Sequence, residues 1–512
     1  MSPMRRWDLK IALDPERDLP LFLQLASAVA EGIRCGRLAP GDPLPGTRLL
    51  AEQLGVNRNT VIASYDELAA EGLVRTRRGG GTFVAELTGV VPTQAEQLTR
   101  HIPTYTLGPV IELPRRYSPP PGVLTMRSVP DTRLFPARVL ARALRRTIEH
   151  RGHAQVSYGD VSGHIRLRTQ LAAMLSNARG LPATPDNLMV TRSLEQGIDL
   201  VARTLIAPGD AVVVERFGYP PVWNMLKLAG ARLLPLGVDE DGLDTDALES
   251  LLKQQRIRAV FLTPHHQFPT TVVMSTKRRL RLAELARAHQ FAIIEDDYDH
   301  EFHYEGKPVL PIAAGPGGAN VIYVGSLANV LAPGIGTGFV VAPPRVFETL
   351  TRLRAACDPR SDAAMECAIA ELFEDGELLR HLRRVRRIYA SRRDALVDSL
   401  LRYLRAAVEF HVPEGGMAVW LRAEDSINVR EWITRSEREG VSFDAGQQYD
   451  LLNDEQPYLR LGFTQHDEAH LQDAVVRMAR ALRHRSPATS SRVLRSALRG
   501  NTLEQSRDRT GD

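Results

Sequence analysis

The sequence is poor in cysteine and contains no apolar run long enough for a membrane helix. Its three cysteines, Cys35, Cys357 and Cys367, are far apart and form no CxxC pair, which disfavours a disulfide framework or a zinc finger. No uninterrupted apolar stretch reaches the ~18 residues that a membrane span needs. The N-terminus lacks the apolar segment of a signal peptide, so we expect a cytoplasmic chain without a membrane partner.

The remaining composition indicates a globular protein with several domains. A length of 512 residues exceeds one ordinary core, and the chain is 43% hydrophobic and 25% charged. The net charge of +4 is small for this length, so the location of the arginine clusters matters more than the total. We predict four segments: a small helical domain at 1–88, a proline-rich linker at 89–122, a large domain at 123–485 and a disordered polar tail at 486–512.

The first segment has the pattern of a winged helix-turn-helix, an α+β fold. Apolar residues spaced by four predict a helix over about 21–33, and a second short helix is predicted at 47–54, ended by Gly55. Asn57 suits the N-cap of a third helix. Residues 73–84 then form two short β-rich runs around three glycines, which predicts a hairpin, the wing of such a domain.

The chemistry of this segment fits double-stranded DNA. The N-terminal end of the third helix is where a recognition helix meets base edges, and arginine and asparagine make bidentate contacts to guanine and adenine. Arginines that lead into a glycine tip can follow the backbone into a minor groove. The predicted DNA-contacting residues are Arg48, Asn57, Arg58, Asn59, Thr60, Arg75, Arg77, Arg78 and Gly80.

The large domain alternates short apolar runs with helical patterns. The runs at 211–214, 259–262, 291–294 and 321–324 predict strands buried on both faces, with helical crossovers between them. This pattern indicates an α/β fold with a mostly parallel sheet, followed by a smaller C-terminal α+β part. Strand ends open onto the ligand crevice of such folds, so we expect the glycine-rich loop at 323–339 to line a site.

Both parts of the chain resemble known families. Residues 21–84 resemble the GntR-type winged helix almost throughout. The large domain resembles the aminotransferase-like domain of MocR-type regulators, which has the fold of pyridoxal-phosphate-dependent transferases. The motifs that carry this second resemblance are YGDVSGHIRLR, TPHHQFPTTVVMS, EDDYDHEF, YVGSLANVLAPGIGTGF and YLRLGF. The resemblance implies a homodimer that binds operator DNA and a site for pyridoxal 5'-phosphate.

The family's cofactor site maps onto specific residues of this chain. By resemblance, Asp296 faces the pyridinium nitrogen and Tyr298 approaches the ring oxygen, although an acidic cluster that caps a helix would look the same. Tyr219 is either a stacking residue or an ordinary turn aromatic. Asn329 stands where the family has its lysine, and an amide cannot form an imine. The resemblance therefore implies a cofactor whose covalent attachment is lost, so we predict no catalytic residue.

Positions that hold the cofactor phosphate in the family differ as well. Leu194 and Glu195 replace a hydroxyl and an amide, and Gly336 replaces an arginine. Each lost charge-assisted hydrogen bond would weaken binding by ~1.5–3 kcal/mol. Two smaller departures are Ala328 in place of a serine and Thr271 in place of a turn glycine.

Two further features leave alternatives open. Arg460 corresponds to the arginine that grips the α-carboxylate of an amino acid, and it equally fits a structural salt bridge. The pair His265–His266 has no carboxylate at ligand spacing, so we predict a loop histidine and no metal site.

We therefore predict a transcriptional regulator whose large domain no longer forms a Schiff base. That domain would sense a small-molecule effector, hold the cofactor non-covalently or act as a dimerisation scaffold. An alternative is a cofactor-responsive regulator that uses another lysine, although Lys277 and Lys307 lie in segments without a suitable motif. The remaining alternative, an active aminotransferase, lacks the lysine base that transamination requires.

Overall fold

The computed structural model describes residues 11, 13–14, 19–77, 81–85, 122–152, 157–306 and 309–483. The chain forms two compact units, Met1–Val110 and Ile111–Asp512. The predicted tail and all but the last residue of the predicted linker lie outside the described residues, so the domain boundaries stay predictions. Among the described residues, no helix is both long and apolar enough to cross a membrane.

The first unit is the predicted three-helix fold with a hairpin. Its helices and strands are α1 (Leu21–Arg34), α2 (Thr47–Leu54), α3 (Arg58–Ala70), β1 (Val74–Arg77) and β2 (Gly81–Val84). Leu25, Leu50, Val61 and Leu68 are fully buried between the helices. Gly55 ends α2 in the left-handed conformation, with a φ of 64°, which a glycine adopts without steric cost. The short turn to α3 therefore depends on this glycine.

The hairpin is held against the loop between α1 and α2. Strands β1 and β2 pair antiparallel, with Arg77 opposite Gly81. The backbone N–H of Leu44 donates a 2.8 Å hydrogen bond to the carbonyl of Thr82, and Pro43 forms a β-bridge with Phe83. The base of the wing is thus anchored to the helical part of the unit.

The second unit contains a seven-stranded sheet of the predicted kind. Its strands are β4 (Leu188–Thr191), β5 (Ala211–Glu215), β6 (Arg232–Leu236), β9 (Ala259–Leu262), β10 (Ala292–Asp297), β11 (Val321–Ser326) and β12 (Gly338–Val341). The spatial order is β4-β12-β11-β10-β9-β5-β6. All neighbours pair parallel except β12, which is antiparallel to both β4 and β11. The short strands β3 (Leu124–Thr125), β7 (Val238–Asp239) and β8 (Gly242–Leu243) lie outside this sheet.

Helices cover both faces of the sheet. They are α4 (Ala137–Arg151), α5 (Ile165–Arg179), α6 (Leu194–Leu205), α7 (Pro220–Leu228), α8 (Thr245–Leu252), α9 (Thr276–His289), α10 (Pro344–Cys357) and α11 (Ala363–Glu374). Alternate residues of one strand belong to different cores: Val213 packs in one cluster, whereas Val212 and Val214 pack in another. Burial on both faces explains why these strands read as continuous apolar runs.

The C-terminal part is the predicted smaller α+β layer. Four strands pair in the order β13-β14-β17-β16 beside three helices. These elements are α12 (Glu377–Tyr403), β13 (Val408–Phe410), β14 (Ala418–Ala423), α13 (Val429–Arg438), β15 (Val441–Ser442), β16 (Asp444–Ala445), β17 (Tyr458–Gly462) and α14 (Glu468–Arg483). Strand β15 pairs with β3. Two arginines of the basic helix α12 are buried: Arg392 pairs with Asp131, and Arg393 pairs with Glu305.

Candidate functional site

The N-terminal end of α3 presents polar side chains to solvent. Asn57, Arg58 and Asn59 are exposed, and Thr60 is half-buried, while Val61 on the opposite face is in the core. The side chain of Asn57 accepts a 2.9 Å hydrogen bond from the backbone N–H of Asn59. Asn57 therefore acts as the N-cap that the sequence predicts. The side chains of Arg58 and Asn59 are the other exposed polar groups at this end of the helix.

The other predicted DNA-contacting residues are spread over α2 and the wing. Arg48 is exposed near the start of α2, and Arg75 and Arg77 are exposed on β1. The guanidinium of Arg77 lies 5.6 Å from the centre of the Phe83 ring, a cation–π contact that orients it along the hairpin. Arg78 and Gly80, which were also predicted to contact DNA, lie outside the described residues.

A cavity of about 390 Å³ at the carboxyl ends of the sheet strands brings the predicted cofactor residues together. The lining contains Tyr219, Asp296, Tyr298, Asn329 and Arg460, which come from four separate segments of the sequence. It also contains the altered positions Leu194, Glu195, Ala328 and Gly336. The sequence motifs therefore identify a single site in the second unit.

Two buried polar atoms at this site make no hydrogen bond within the described part of the chain. They are Oδ1 of Asp296, at the end of β10, and the hydroxyl oxygen of Tyr298. Burial raises the pKa of Asp296 well above its usual range, and the nearby carboxylates of Asp297 and Asp299 add to the rise. Burial in this position therefore favours the neutral form of the carboxyl. Such orphaned groups fit a ligand that supplies a ring nitrogen and a hydroxyl.

Asn329 lies in the loop after β11 and faces the cavity. Its Nδ2 donates a 3.0 Å hydrogen bond to the backbone carbonyl of Tyr298, so the amide is engaged by the protein itself. The lysines that the structure describes, Lys227, Lys253 and Lys277, are not among the residues that line the cavity. Within the described residues, no lysine amine is placed to form an imine there.

The N-terminus of α6 carries an acidic group where a phosphate would need donors. Glu195 lies in the first turn of this helix, and its Oε1 accepts a 3.4 Å hydrogen bond from the hydroxyl of Tyr219. A helix N-terminus attracts anions, and here the chain's own carboxylate takes that position. A Cβ added at Gly336 would overlap the carbonyl oxygen of Arg192, so the loop leaves no space for a side chain at that position.

Arg460, on β17, is buried and forms no ion pair with a carboxylate among the described residues. Its Nε donates to the carbonyl of Pro269 at 3.3 Å, and its Nη1 bonds the hydroxyl of Ser128. Its guanidinium lies 4.5 Å from the centre of the Phe268 ring. The described residues therefore provide no carboxylate for the structural salt bridge that was one of the two sequence-based interpretations of Arg460. The guanidinium lies in the cavity lining, and none of the described carboxylates forms an ion pair with it.

Thr271 has a backbone conformation that suits glycine. Its φ is 65°, in the left-handed region, where a β-branched residue is strained by about 1–2 kcal/mol. Replacing it with glycine relieves this strain at a smaller entropic cost. We therefore expect Thr271→Gly to raise the free energy of unfolding by about 0.5–1 kcal/mol, measured as a higher urea midpoint.

The matched control for this prediction is the neighbouring threonine. The Thr270 hydroxyl donates a 2.6 Å hydrogen bond to Gln267, so Thr270→Gly should lower the urea midpoint. A lower midpoint for Thr271→Gly as well would show that the left-handed conformation carries no strain.

Sequence reasoning missed a cluster of histidines beside the cavity. His265 and His266 follow β9, and His300 and His303 follow β10, which is the parallel neighbour of β9. The ends of neighbouring parallel strands lie at the same edge of a sheet, so the four imidazoles meet. The signal was present in the sequence as two histidine pairs, each just beyond a predicted strand.

The two units together define a class of protein: a DNA-binding transcriptional regulator with an aminotransferase-like domain. The "Aminotransferase class I and II" family model matches residues 130–478, and the "Bacterial regulatory proteins, gntR family" model matches residues 21–84. The chain belongs to this family of MocR-type regulators of the GntR class.

Relatives and solved structures agree with this assignment. The chain is 32% identical over 436 residues to the probable rhizopine catabolism regulatory protein MocR of Rhizobium meliloti, covering 85% of this chain and 88% of that protein. It is also 32% identical to the pyridoxine biosynthesis regulator PdxR of Corynebacterium glutamicum, covering 77% and 82%. The second unit matches the LysN α-aminoadipate aminotransferase of Thermus thermophilus, in complex with N-(5'-phosphopyridoxyl)-L-leucine, with a TM-score of 0.66 and 28% identity over 71% of this chain and 92% of that one.

The residues of this chain fit the family's cofactor incompletely. The unpartnered atoms of Asp296 and Tyr298 suit a pyridine ring with its hydroxyl. The amide of Asn329 cannot form an imine, and the carboxylate of Glu195 at the start of α6 adds an acceptor, where a phosphate would require donors, to the cavity lining. The set as a whole does not fit pyridoxal 5'-phosphate as a covalently held group.

Proposed function

We propose that the second unit is a ligand-binding domain that controls DNA binding and has lost covalent cofactor attachment and transamination. The observation that carries the proposal is Asn329, whose amide faces the cavity and is bonded to the backbone of Tyr298. Without an amine at this position the chain lacks both the imine partner and the base that moves the substrate proton. The cavity itself remains, with a volume of about 390 Å³ that suits a small molecule.

The effector that fits this cavity carries a carboxylate. Arg460 is buried without a carboxylate partner among the described residues, and its planar guanidinium can bind a carboxylate in a bidentate manner. The ring of Phe268 packs against the guanidinium, and the hydroxyl of Ser128 accepts a hydrogen bond from it. An amino acid or a related carboxylate matches these groups.

The first unit supplies DNA recognition in this proposal. Arg58 and Asn59 would read bases, while Arg48, Arg75 and Arg77 would contact phosphates, with Thr60 beside the reading end of α3. Arg78 and Gly80 would extend the phosphate contacts at the tip of the wing. We also propose that the chain works as a homodimer on two half-sites, which a molar mass from light scattering would test.

The proposed function is tested by DNA binding with and without candidate effectors. Full-length protein is titrated onto fluorescent duplex from its own upstream region, and a panel of amino acids and related carboxylates is added. At least one carboxylate is expected to shift the DNA affinity. We expect Arg460→Ala to weaken binding of that effector by about 1.5–3 kcal/mol, or roughly 10- to 150-fold.

The matched control is Arg430, an exposed arginine of α13 whose Nε donates a 3.0 Å hydrogen bond to Gln447. Arg430→Ala should leave effector binding within twofold of the original protein. Equal losses in the Arg460 and Arg430 variants, or binding by compounds without a carboxylate alone, would contradict the role given to Arg460.

A second candidate effector is pyridoxal 5'-phosphate held without a covalent bond. The unpartnered atoms of Asp296 and Tyr298 favour this alternative, because they suit the ring nitrogen and the ring hydroxyl. The two candidates differ in their response to Asp296→Asn. This variant should abolish binding of the cofactor, whereas a carboxylate held by Arg460 should bind with little change.

A further inference from the structure

Three imidazoles meet beside the effector cavity, at the ends of β9 and β10. His265, His266 and His303 each offer a ring nitrogen, and these three atoms all lie within 4.8 Å of one another. The ring centroids of His265 and His266 are 4.3 Å apart, and that of His303 lies 6.1 Å and 6.2 Å from them. The three side chains therefore face a common point.

The nitrogens in this cluster have no protein partner to satisfy them. Both ring nitrogens of His265 and of His303 make no hydrogen bond within the described part of the chain, and neither does Nε2 of His266. His265 is 4% exposed and His266 is 1% exposed, so bulk water does not solvate them. A buried polar group without a partner costs about 1–3 kcal/mol, and here several such groups lie together. This arrangement favours a ligand that accepts lone pairs from several nitrogens at once, which is what a metal ion does.

We propose that His265, His266 and His303 bind a divalent transition-metal ion, with Zn²⁺ the best fit. Neutral imidazoles are ligands for Zn²⁺, Ni²⁺, Co²⁺ and Cu²⁺, and three of them with a water molecule complete a tetrahedral zinc site. The three ring nitrogens lie within 4.8 Å of one another. Small side-chain movements would bring each of them to the bond length of about 2.0–2.1 Å from a single ion. This site is separate from the carboxylate-binding cavity and does not rest on the proposed effector.

An acidic residue outside the cluster already positions one ligand. Nδ1 of His266 lies 2.8 Å from Oδ1 of Asp299, and both side chains are 1% exposed. This pair fixes the ring so that Nε2 is the free nitrogen, as in the carboxylate–histidine–metal arrangement of many metal sites. Asp299 is thus a positioning residue, and its replacement by asparagine should weaken metal binding by about 10- to 100-fold.

The fourth histidine, His300, packs against the cluster without joining the three ligands. Its ring stacks on that of His265 with centroids 4.4 Å apart, and its Nδ1 lies 2.9 Å from Oδ2 of Asp297. Asp299 and His303 belong to the same segment as Tyr298, which lines the effector cavity. A bound ion would therefore tie the segment after β9 to the segment after β10 at the edge of that cavity.

The test is metal binding by the untagged full-length protein, stripped with a chelator and then titrated with Zn²⁺ and Co²⁺ by calorimetry. One ion per chain is expected, and bound Co²⁺ should give the visible absorption of a tetrahedral site. His265→Ala and His303→Ala are each expected to lower the affinity at least tenfold. His303 is half-buried and makes no side-chain hydrogen bond in the described chain, so its variant is expected to fold even if the other does not.

His470 supplies the matched control, because it is an exposed histidine on another part of the fold, with its ring 6.2 Å from that of the half-buried His466. His470→Ala should leave the affinity within twofold of the original protein. Failure to take up one Zn²⁺ or Co²⁺ per chain would overturn the proposal. Unchanged binding in the folded His303→Ala protein, or a loss that follows His470→Ala, would overturn it as well.

Discussion

Replacing Arg58 with alanine is expected to weaken binding to operator DNA by about 1–3 kcal/mol, or roughly 5- to 150-fold. Arg58 is exposed at the first position of α3, the helix whose opposite face fills the core through Val61 and Leu68. Its Nε donates a 3.3 Å hydrogen bond to the hydroxyl of Thr47, which holds the side chain against the N-terminal end of α2. An arginine held at the start of a recognition helix can bind guanine through two hydrogen bonds, which is the contact that we propose for Arg58.

The loss of affinity should depend on the DNA sequence. A contact to a base edge determines sequence specificity, whereas a contact to a phosphate only positions the protein on the duplex. Arg58→Ala is therefore expected to relax discrimination at one base pair of each half-site. Arg48→Ala should instead weaken binding to all sequences about equally and reduce the slope of log affinity against log salt by about one. Fluorescence anisotropy with single-base operator variants at several salt concentrations measures both effects.

Arg34 provides the control for the DNA-binding prediction. It is an exposed arginine in the last turn of α1, and it lies 3.7 Å from Glu71, beyond the opposite end of α3. Arg34→Ala should leave the affinity within twofold of the original value. If Arg34→Ala and Arg58→Ala weaken binding equally, the effect is one of net charge and α3 is not the reading helix.

Restoring a lysine at position 329 is expected to produce no aldimine. Asp296 and Tyr298 line the cavity, but Glu195 lies in the first turn of α6 and Leu194 has no hydroxyl. Losing two charge-assisted hydrogen bonds to a phosphate costs roughly 3–6 kcal/mol, or about two to four orders of magnitude in affinity. Purified Asn329→Lys protein with added pyridoxal 5'-phosphate should therefore show no absorbance of an internal aldimine.

The companion variant rebuilds the phosphate donors together with the lysine. Leu194→Ser, Glu195→Gln and Asn329→Lys in one chain should gain cofactor affinity of at least a hundredfold over Asn329→Lys alone. Gly336 is left unchanged, because a side chain there would collide with the carbonyl of Arg192. If the single variant already forms a stable aldimine, then the phosphate positions are intact and the account of Leu194 and Glu195 is wrong.

Much of the fold could be predicted from local sequence pattern. The helix at 47–54 has the bounds that the sequence predicts, and the apolar run at 259–262 is a strand with the same bounds. Caps such as Asn57 and Ser275 accept backbone hydrogen bonds at the helix starts, which is a local interaction that the sequence shows directly. The parallel sheet followed from apolar runs that are buried on both faces.

Features that depend on long-range packing could not be predicted in this way. The antiparallel strand β12 looks like any other apolar run, because strand direction depends on the connection rather than on the strand itself. The sequence shows α12 only as a strongly basic helix. That two of its arginines are buried depends on long-range ion pairs with Asp131 and Glu305. The histidine cluster likewise requires β9 and β10 to be neighbours, which the chain order alone does not reveal.

In the candidate site, too, the residues could be predicted from local sequence motifs, but their tertiary contacts could not. The residues that line the cavity were predicted through motifs, since Asp296, Asn329 and Arg460 each lie in a recognisable segment. Their partners were not predicted: the bond from Asn329 to the backbone of Tyr298 and the lack of a carboxylate beside Arg460 are tertiary facts. Both facts strengthen the interpretation of the cavity as a non-covalent ligand site.

Borohydride trapping shows most directly whether the cavity holds a covalently attached cofactor. The unmodified full-length protein is incubated with excess pyridoxal 5'-phosphate, reduced with borohydride, digested and analysed by mass spectrometry. We expect no reduced phosphopyridoxyl adduct on any lysine at stoichiometric yield, because the cavity is lined by Asn329 and by none of the described lysines. A stoichiometric adduct on one lysine, together with an aldimine absorbance before reduction, would contradict it.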